Sequence, residues 1–313
     1  MAKKRKKERI KVMFIVNPKS GKRRPYFSAG KIADMFAQNN MEVAVYFTAP
    51  GYKADFLVKE HINEFDIVAC CGGDGTISEA ISGMMECGAN KPLGYVPAGT
   101  TNDLARSLNI TTNMSKAAKA IITGKPQPLD VGSFDDDYFI YIASFGAFTE
   151  VSYATSQKAK NLFGRLAYIF GAVKYMHTIK SYHLKVNTDT IDTEGDYIFG
   201  AVTNSTSVAG IFKFENEFVD FSDGQYEVML IRRPDNIFTA FAICMSMLNK
   251  TYGHKNIELF KASEIEFISE DPLDWAVDGE HKQGGNVVHI KNNPQAIHLI
   301  AKNHGWSPPP VES

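Results

Sequence analysis

The chain has 313 residues, 44% of them apolar and 22% charged, and its formal net charge is −1 at pH 7. This length favours two domains, and the composition is that of an ordinary soluble globular protein. The near-zero net charge excludes a bulk electrostatic affinity for nucleic acid. The longest apolar run, Ile237–Leu248, is shorter than the roughly 20 residues that cross a bilayer. The sequence therefore permits at most a peripheral association with a membrane.

Positive charge is concentrated at the amino terminus. Of the first eleven residues, seven are Lys or Arg and one is Glu. No apolar core with a cleavage site follows, so the segment does not have the pattern of a secretory signal. We expect residues 1–9 to form a basic tail that attracts an anionic surface, with a merely solubilising end as the alternative.

The four cysteines show no metal-ligand spacing. They are Cys70, Cys71, Cys87 and Cys244. Cys70 and Cys71 are adjacent in an apolar run and would point to opposite faces of a strand. We therefore expect core thiols in a reducing cytoplasm.

The first part of the chain alternates predicted strands and helices. Its predicted strands are Val12–Val16, Glu42–Phe47, Ile67–Cys71 and Pro92–Val96. Helical spacing covers Pro25–Asn39 and Tyr52–His61, and further helices begin after Cys71 and near Leu104. This β-α order predicts a parallel, layered α/β domain, which we place at residues 1–130.

Three of these strands end in loops that favour anion binding. The loops are Asn17–Arg24, Gly72–Thr76 and Pro97–Asp103. The carboxyl ends of parallel strands meet at one edge of a sheet, where helix N-termini and glycine-rich turns offer backbone N–H groups to a phosphate. The alternatives are ordinary βα turns, helix caps and a solvated basic loop.

Two familiar phosphate-binding motifs are absent. A dinucleotide fingerprint needs a third glycine three residues after Gly75, but Ser78 stands there, and no acidic residue follows at the ribose-binding distance. The sequence also contains no G-x-x-x-x-G-K-[ST], so a P-loop is excluded.

The second part of the chain, from residue 131 to 313, is rich in short strand-like runs. They follow a strand-like Val131–Ser144, and they are Tyr182–Asn187, Tyr197–Thr203, Tyr226–Ile231, Glu264–Ile268, Val287–Ile290 and Ala296–Ile300. This spacing predicts an antiparallel sandwich or barrel, and its last residues can return to the first domain. Two helices are predicted, Lys158–His177 and Asn236–Asn249; we expect the second to be a core helix, with contact to acyl chains as the alternative.

Seven motifs in order resemble the diacylglycerol kinase catalytic-domain family, in particular its bacterial lipid kinases. They are NPKSGK, CGGDGTISEA, PAGTTNDLAR, DVGSF, FGRLAY, SDGQYEV and VDGE. Each motif alone is weak, since GGDG also occurs in NAD kinases, but the series is specific and covers residues 10–302. The resemblance implies a nucleotide-binding α/β domain, a β-sandwich domain, and an active site in the cleft between them.

The resemblance also implies the site residues. Asn17, Ser20 and Lys22 match the first phosphate-side loop of the family, and Gly72, Gly73, Asp74, Gly75 and Thr76 match its nucleotide loop. Thr100, Asn102, Asp103 and Arg106 match the next turn, and Arg165 matches a cation facing the cleft. Asp278 and Glu280 match the late D-G-E motif. Asp220, Asp223 and the carbonyl of Gln225 match a loop that holds a Mg²⁺ away from the transferred phosphate.

Phosphoryl transfer needs these residue types. Cations neutralise the transferring group, one or two carboxylates hold Mg²⁺, and another carboxylate orients or deprotonates the attacking hydroxyl. Lys22, Arg106 and Arg165 can supply the charge, and Asp74 or Asp103 the metal ligand. The base is Asp278 or Asp74, although an Asp-Gly pair is also a favoured hairpin turn.

The sequence therefore predicts a kinase that uses ATP and Mg²⁺ to phosphorylate a diacylglycerol-like lipid for lipid metabolism, in the cytoplasm and peripherally at the inner face of the membrane. A family glycine run after Asn204 is replaced here by Val208-Ala209-Gly210, which leaves the lipid open. An NAD kinase and a non-catalytic regulator are the alternatives. No specific nucleic-acid partner is expected, and a homodimer is left open.

Overall fold

The computed structural model describes residues 9–21, 25–146, 180–204, 207–208, 212–213, 220–249 and 251–301. Their contacts form two compact units. The first unit contains the described parts of Met1–Val131 and Gln295–Ser313, and the second those of Gly132–Pro294. The sequence had placed this boundary after residue 130. The predicted helix Lys158–His177, the tail at 1–8, Lys22 and Arg165 lie outside the described residues.

The first unit alternates strands and helices in chain order. They are β1 (Ile10–Val16), α1 (Pro25–Gln38), β2 (Met41–Phe47), α2 (Ala54–His61), β3 (Ile67–Gly72), α3 (Asp74–Glu86), β4 (Pro92–Pro97), α4 (Asp103–Ser107) and α5 (Met114–Thr123). A 3₁₀ turn, Ile62–Glu64, follows α2. The helix α5 was not predicted.

The strands of this unit form a parallel sheet. The order is β2-β1-β3-β4, with Val12 opposite Ile67 and Val68 opposite Leu93. The sheet is parallel because each strand is followed by a crossover helix, and it is covered on both faces, so Val12–Val16 are all fully buried. This arrangement brings the ends of β1, β3 and β4 to the same edge.

The second unit is mainly an antiparallel sheet, and Ser207–Val208 and Phe212–Lys213 form a separate two-stranded sheet. Its strands are β5 (Lys125–Phe134), which begins in the first unit, β6 (Asp137–Phe139), β7 (Ile142–Gly146), β8 (Tyr182–Thr188), β9 (Thr193–Thr203), β10 (Ser207–Val208), β11 (Phe212–Lys213), β12 (Tyr226–Arg232), β13 (Ile257–Ala262), β14 (Glu264–Ser269), β15 (Asp274–Val277), β16 (Glu280–Gln283) and β17 (Val287–Ala301), with one described helix, α6 (Ile237–Leu248). Inward side chains from most of these strands share one core, in which Trp275 packs edge-on against Phe134, Phe145 and Phe267.

The final strand differs from the prediction. The sequence indicated two strands, Val287–Ile290 and Ala296–Ile300, but β17 runs through both. The polar residues between them continue the strand because Asn292 is buried and its N–H donates to Ser263 O at 2.8 Å. The first part of β17 pairs antiparallel with β14, and His298–Ile300 pair parallel with β4, so the end of the chain belongs to the first unit.

The helix α6, predicted as a core helix with acyl-chain contact as the alternative, packs into the core on one side only. Ala240, Ile243 and Met247 are buried on one stripe, whereas Ile237, Phe238 and Phe241 are exposed. No helix among the described residues is long and apolar enough to cross a membrane.

Candidate active site

The loop after β1 is fixed by hydrogen bonds to the loop after β3. Asn17 N donates to Cys71 O at 2.9 Å, and Asn17 Nδ2 donates to Thr76 Oγ1 at 2.9 Å. The hydroxyl of Ser20 accepts a hydrogen bond from Gly73 N at 3.2 Å. Asn17 and Ser20, two of the predicted phosphate-side residues, therefore hold the loop after β3 in place by hydrogen bonds.

The loop after β3 leads directly into α3. Gly73 is the N-cap residue and Asp74, Gly75 and Thr76 form the first turn, so the unpaired N–H groups and the positive end of the helix dipole lie within the Gly-Gly-Asp-Gly-Thr segment. A Cβ at Gly72 would lie 2.5 Å from the Cβ of Thr76. Glycine is required there because the loop closes tightly over the buried threonine.

The loop after β4 touches the glycine loop backbone to backbone. A Cβ built on Gly99 would lie 2.6 Å from the Cα of Gly73. Asn102 adopts a left-handed conformation, with φ of 51°, and brackets Gly99: its Oδ1 accepts from Gly99 N at 2.8 Å and its Nδ2 donates to Gly99 O at 3.0 Å. Asn102, which the resemblance assigned to nucleotide binding, is buried and holds the loop itself.

Two carboxylates lie at the starts of α3 and α4. Asp74 Oδ1 accepts a hydrogen bond from Leu104 N at 3.3 Å. The pKa of Asp103 is raised, first by burial and then by the negative charge of Asp74, while Arg106 opposes the shift. Arg106 Nη1 lies 3.8 Å from Asp103 Oδ1 and is largely exposed. A divalent cation beside Asp103 and Asp74 would offset the burial and the negative charge that disfavour the ionised form of Asp103.

The first unit thus brings together most of the predicted nucleotide-side residues. They are Asn17, Ser20, Gly72, Gly73, Asp74, Gly75, Thr76, Asn102, Asp103 and Arg106. Thr100 is exposed on the same loop. Sequence reasoning did not select Gly99, although its position after Pro97-Ala98 at a strand end was a signal. Tyr95, whose hydroxyl donates to Gly72 O at 3.4 Å, carried no such signal.

The D-G-E motif lies in the second unit, at the hairpin between β15 and β16. Asp278 and Gly279 both have positive φ, 48° and 85°, as a two-residue hairpin turn requires. The carboxylate of Asp278 accepts backbone N–H groups from Ile140, Tyr141 and Ile142 at 2.8, 3.0 and 3.2 Å. Glu280 is exposed, and no described residue hydrogen-bonds to its carboxylate. The two acids of this motif therefore have different environments.

The predicted metal loop also lies in the second unit. Asp220 Oδ1 accepts from Ser222 N and Oγ, and Asp223 Oδ1 accepts from Gln225 N at 3.0 Å. Asp223 Oδ2 is 2.7 Å from the Lys261 ammonium. Among the described residues, no three His, Cys, Asp or Glu side chains form a metal-holding cluster by themselves.

A buried carboxylate near this loop was missed from the sequence. Glu227 is fully buried, and neither of its oxygens has a hydrogen-bond partner. The nearest described cation is Lys261, whose Nζ is 3.5 Å from Oε1, and burial raises the pKa of Glu227 to about 8. The available sequence signal was a single Glu within the otherwise apolar strand β12. If such a strand is buried, its acid is buried too, which is rare for a Glu without a partner.

Comparisons with known proteins agree on one family. Residues 11–134 match the family model described as diacylglycerol kinase catalytic domain. The chain is 28% identical over 289 residues to a diacylglycerol kinase of Bacillus subtilis, covering 91% of this chain and 94% of the relative. It is 25% identical over 303 residues to a diacylglycerol kinase of Staphylococcus saprophyticus, covering 92% and 94%.

Solved structures show the same fold. A crystal structure described as a diacylglycerol kinase from Bacillus anthracis superposes with a TM-score of 0.72 at 22% identity and covers 94% of this chain and 97% of that one. A second crystal structure from the same organism gives a TM-score of 0.77 at 24% identity, covering 96% and 99%. At these identities the likeness supports the architecture.

The glycine-bearing parallel sheet, the antiparallel second unit and the match over residues 11–134 together define a kinase with an α/β catalytic domain. More particularly, residues 11–134 match the diacylglycerol kinase catalytic domain, and the chain is similar over about nine tenths of its length to bacterial diacylglycerol kinases.

Proposed function

We propose that the protein transfers the γ-phosphate of ATP to the hydroxyl of a diacylglycerol-like lipid, with Mg²⁺ as the metal. The observation that carries the nucleotide half is the interlocking of three strand-end loops at the N-terminus of α3, through the Asn17–Thr76, Ser20–Gly73 and Asn102–Gly99 hydrogen bonds. The relatives' names supply the acceptor class.

The glycine loop is suited to phosphate. Gly73 and Gly99 let the backbones of two loops meet at the N-terminus of α3, where backbone N–H groups and the positive end of the helix dipole favour a phosphate. Arg106 supplies positive charge beside the loop. Lys22 and Arg165 remain proposed members of the same charge set, on the family resemblance alone.

Asp74 and Asp103 fit a metal ion carried in with the nucleotide. They provide oxygen ligands, the kind that Mg²⁺ prefers, and a bound cation would offset the burial and the negative charge of Asp74 that raise the pKa of Asp103. When bound, the metal would neutralise phosphate charge during transfer. The two aspartates would position it, and Arg106 would balance the remaining charge.

Of the two acids in the D-G-E turn, Glu280 is the better candidate for the group that accepts the hydroxyl proton. Its carboxylate is exposed and free among the described residues, whereas three N–H groups already occupy the lone pairs of Asp278. Asp278 would then act as a positioning residue that fixes the turn carrying Glu280. Asp74 remains the candidate base on the nucleotide side.

Asp220, Asp223 and the carbonyl of Gln225 fit a second, structural metal. The donors are all oxygens, the kind that Mg²⁺ prefers, and the Lys261 ammonium, 2.7 Å from Asp223 and 3.5 Å from Glu227, now supplies the positive charge that a metal would supply. A metal there would brace the loop, and Asp223 would have to exchange its bond to Lys261 for the ion.

A lipid acceptor places the enzyme peripherally at the cytoplasmic face of the membrane. The tail at residues 2–9 supports this, since each Lys or Arg beside an anionic leaflet contributes about 1 kcal/mol. At 0.1 M salt the attraction fades beyond about 10 Å, so only cations of the tail that come close to the surface contribute.

Labelled phosphate transfer tests the proposal. The protein is incubated with γ-labelled ATP and, in separate reactions, with diacylglycerol in detergent micelles, other neutral lipids or NAD. We expect a labelled lipid product that disappears with EDTA and with Asp74→Asn but not with Asp34→Asn, which changes an exposed helix residue outside the site. Transfer to NAD alone would establish the NAD kinase alternative, and nucleotide binding without any transfer would establish a regulator.

A further inference from the structure

We propose that the amino-terminal end of α6 inserts into a bilayer surface through Ile237, Phe238 and Phe241. This inference rests on the proposed lipid kinase function, and it names the surface by which that site reaches its substrate. The basic tail is a separate, purely electrostatic contribution.

The helix is apolar on all sides. Its sequence from Ile237 to Leu248 contains no charged residue. A helix of this kind is normally buried all round or in contact with lipid. Here one stripe packs inward and the other faces solvent: Phe238 is 83% exposed, Ile237 58% and Phe241 37%. Phe238 is the most exposed large apolar side chain in the part of the chain that the structure describes.

The helix is held firmly enough to present this stripe. Asn236 caps it, with its side chain accepting from Thr239 N at 2.9 Å. Ala240, Ile243 and Met247 anchor the opposite stripe in the second unit. The exposed side chains are therefore fixed on a rigid element, and their exposure is not the fraying of a chain end.

Cations flank the exposed end. Arg233 is exposed four residues before Ile237, and its carbonyl accepts from Asn256 Nδ2 at 3.3 Å, which brings the exposed Lys255 to the same turn. The exposed Asp235 follows Arg233, and Arg233 N donates to the carbonyl of the exposed Asp196 at 2.8 Å, so acids and cations both lie near this end. The apolar side chains, not a net charge, therefore carry the contact with lipid.

The patch is too small for a second copy of the chain. Aromatic side chains bury about 150–250 Å² each, so these three residues expose on the order of 350 Å². A stable interface buries about 800 Å² on each partner. Three side chains can nevertheless dip into a headgroup region, which needs no shape-complementary partner.

Vesicle binding at high salt separates this surface from the tail. The double variant Phe238→Ser/Phe241→Ser, the parent and the control Phe27→Ser are compared; Phe27 is 72% exposed on α1 in the other unit. Phosphatidylcholine vesicles with phosphatidylglycerol are sedimented at about 0.5 M salt, where charge attraction is largely screened. We expect the double variant to bind at least about tenfold less than the parent, and Phe27→Ser to bind like the parent.

A second measurement locates the insertion. Tryptophan placed by Phe238→Trp should be quenched by brominated lipid beyond the quenching of the parent. Equal binding of double variant and parent, equal losses in Phe27→Ser, or no added quenching would each overturn the surface. The proposal would also be overturned if light scattering showed that the parent is a dimer and the double variant is a monomer.

Kinase assays in detergent micelles keep the two proposals separable. The double variant should phosphorylate micellar lipid at the parental rate, because it changes only the surface. A parent that binds vesicles through Phe238 but phosphorylates no lipid would contradict the proposed function and leave the surface standing. A parent that phosphorylates lipid while the double variant still binds vesicles would contradict the surface alone.

Discussion

The side-chain amide of Asn17 donates to the hydroxyl of Thr76 at 2.9 Å, joining two loops that are 59 residues apart in the chain. Thr76 is buried in the first turn of α3 and also packs against Gly72. This bond fixes the loop after β1 against the glycine loop. The two loops therefore form one preorganised structure within the first unit.

The Asn17–Thr76 bond should be measurable as a coupling energy. Asn17→Ala and Thr76→Ala should each lower the free energy of unfolding by about 1 kcal/mol, and the double variant should cost less than their sum. Denaturant unfolding of the four proteins measures the coupling. Thr76→Ser keeps the hydroxyl and should retain most of the interaction; fully additive losses would show that the bond contributes nothing.

Gly99→Ala should disrupt the phosphate cradle. Its Cβ would lie 2.6 Å from Gly73 Cα and 2.8 Å from Asn102 Oδ1, so the loops must separate, with a cost of about 1–3 kcal/mol. Nucleotide affinity, measured by calorimetry, should fall with it. The control is Gly30→Ala, where a Cβ meets nothing within 4 Å and helix propensity predicts up to about 1 kcal/mol of stabilisation. Unchanged nucleotide binding by Gly99→Ala would refute the cradle.

The two acids of the D-G-E turn should separate in their effects. Glu280→Gln should leave thermal stability unchanged and lower the transfer rate by on the order of 10²–10⁴. Asp278→Asn tolerates the left-handed φ, but its amide cannot accept all three N–H groups, so it should lose about 1–3 kcal/mol of stability as well as activity. If Asp278→Asn is fully stable and inactive while Glu280→Gln is active, Asp278 is the base.

Asp74→Asn should weaken binding of Mg·ATP, because it removes one charge from the Asp74–Asp103 pair that the metal would neutralise. Calorimetric titration with ATP, with and without Mg²⁺, measures the metal-dependent part. Glu280→Gln serves as the matched control and should bind Mg·ATP normally. Retained Mg·ATP affinity in Asp74→Asn would remove Asp74 from the metal site.

Magnesium should raise the melting temperature of the parent in the absence of nucleotide. Removing Asp220 and Asp223 together should abolish this rise and cost stability more than chemistry. Lys261→Met should enlarge the rise, because Lys261 now neutralises Asp223 and competes with the ion. The exposed substitution Asp235→Asn is the control. A parent whose melting temperature does not respond to Mg²⁺ would count against a metal in this loop.

The sequence by itself determined the alternation of strands and helices from β1 to β4. Apolar runs too short for helices, each ending in glycine or a capping residue, indicated β1, β3 and β4 and their loops, because hydrophobic periodicity and glycine are local signals. The seven motifs indicated the family for the same reason. Local signals failed at β17, where the polar residues around Asn292 predicted a break between two strands. The strand continues because Asn292 is buried and its N–H donates to Ser263 O.

Only the tertiary structure decided what individual side chains do. Asn102 and Asp278 belong to motifs expected to bind or react, yet each bonds to backbone: Asn102 to Gly99, three residues away, and Asp278 to a segment far away in the sequence. Asp278 bonds to residues more than 130 positions away. The contact of Gly73 with Gly99, the burial of Glu227 and the exposed stripe of α6 likewise follow from packing in three dimensions, which a one-dimensional pattern does not encode.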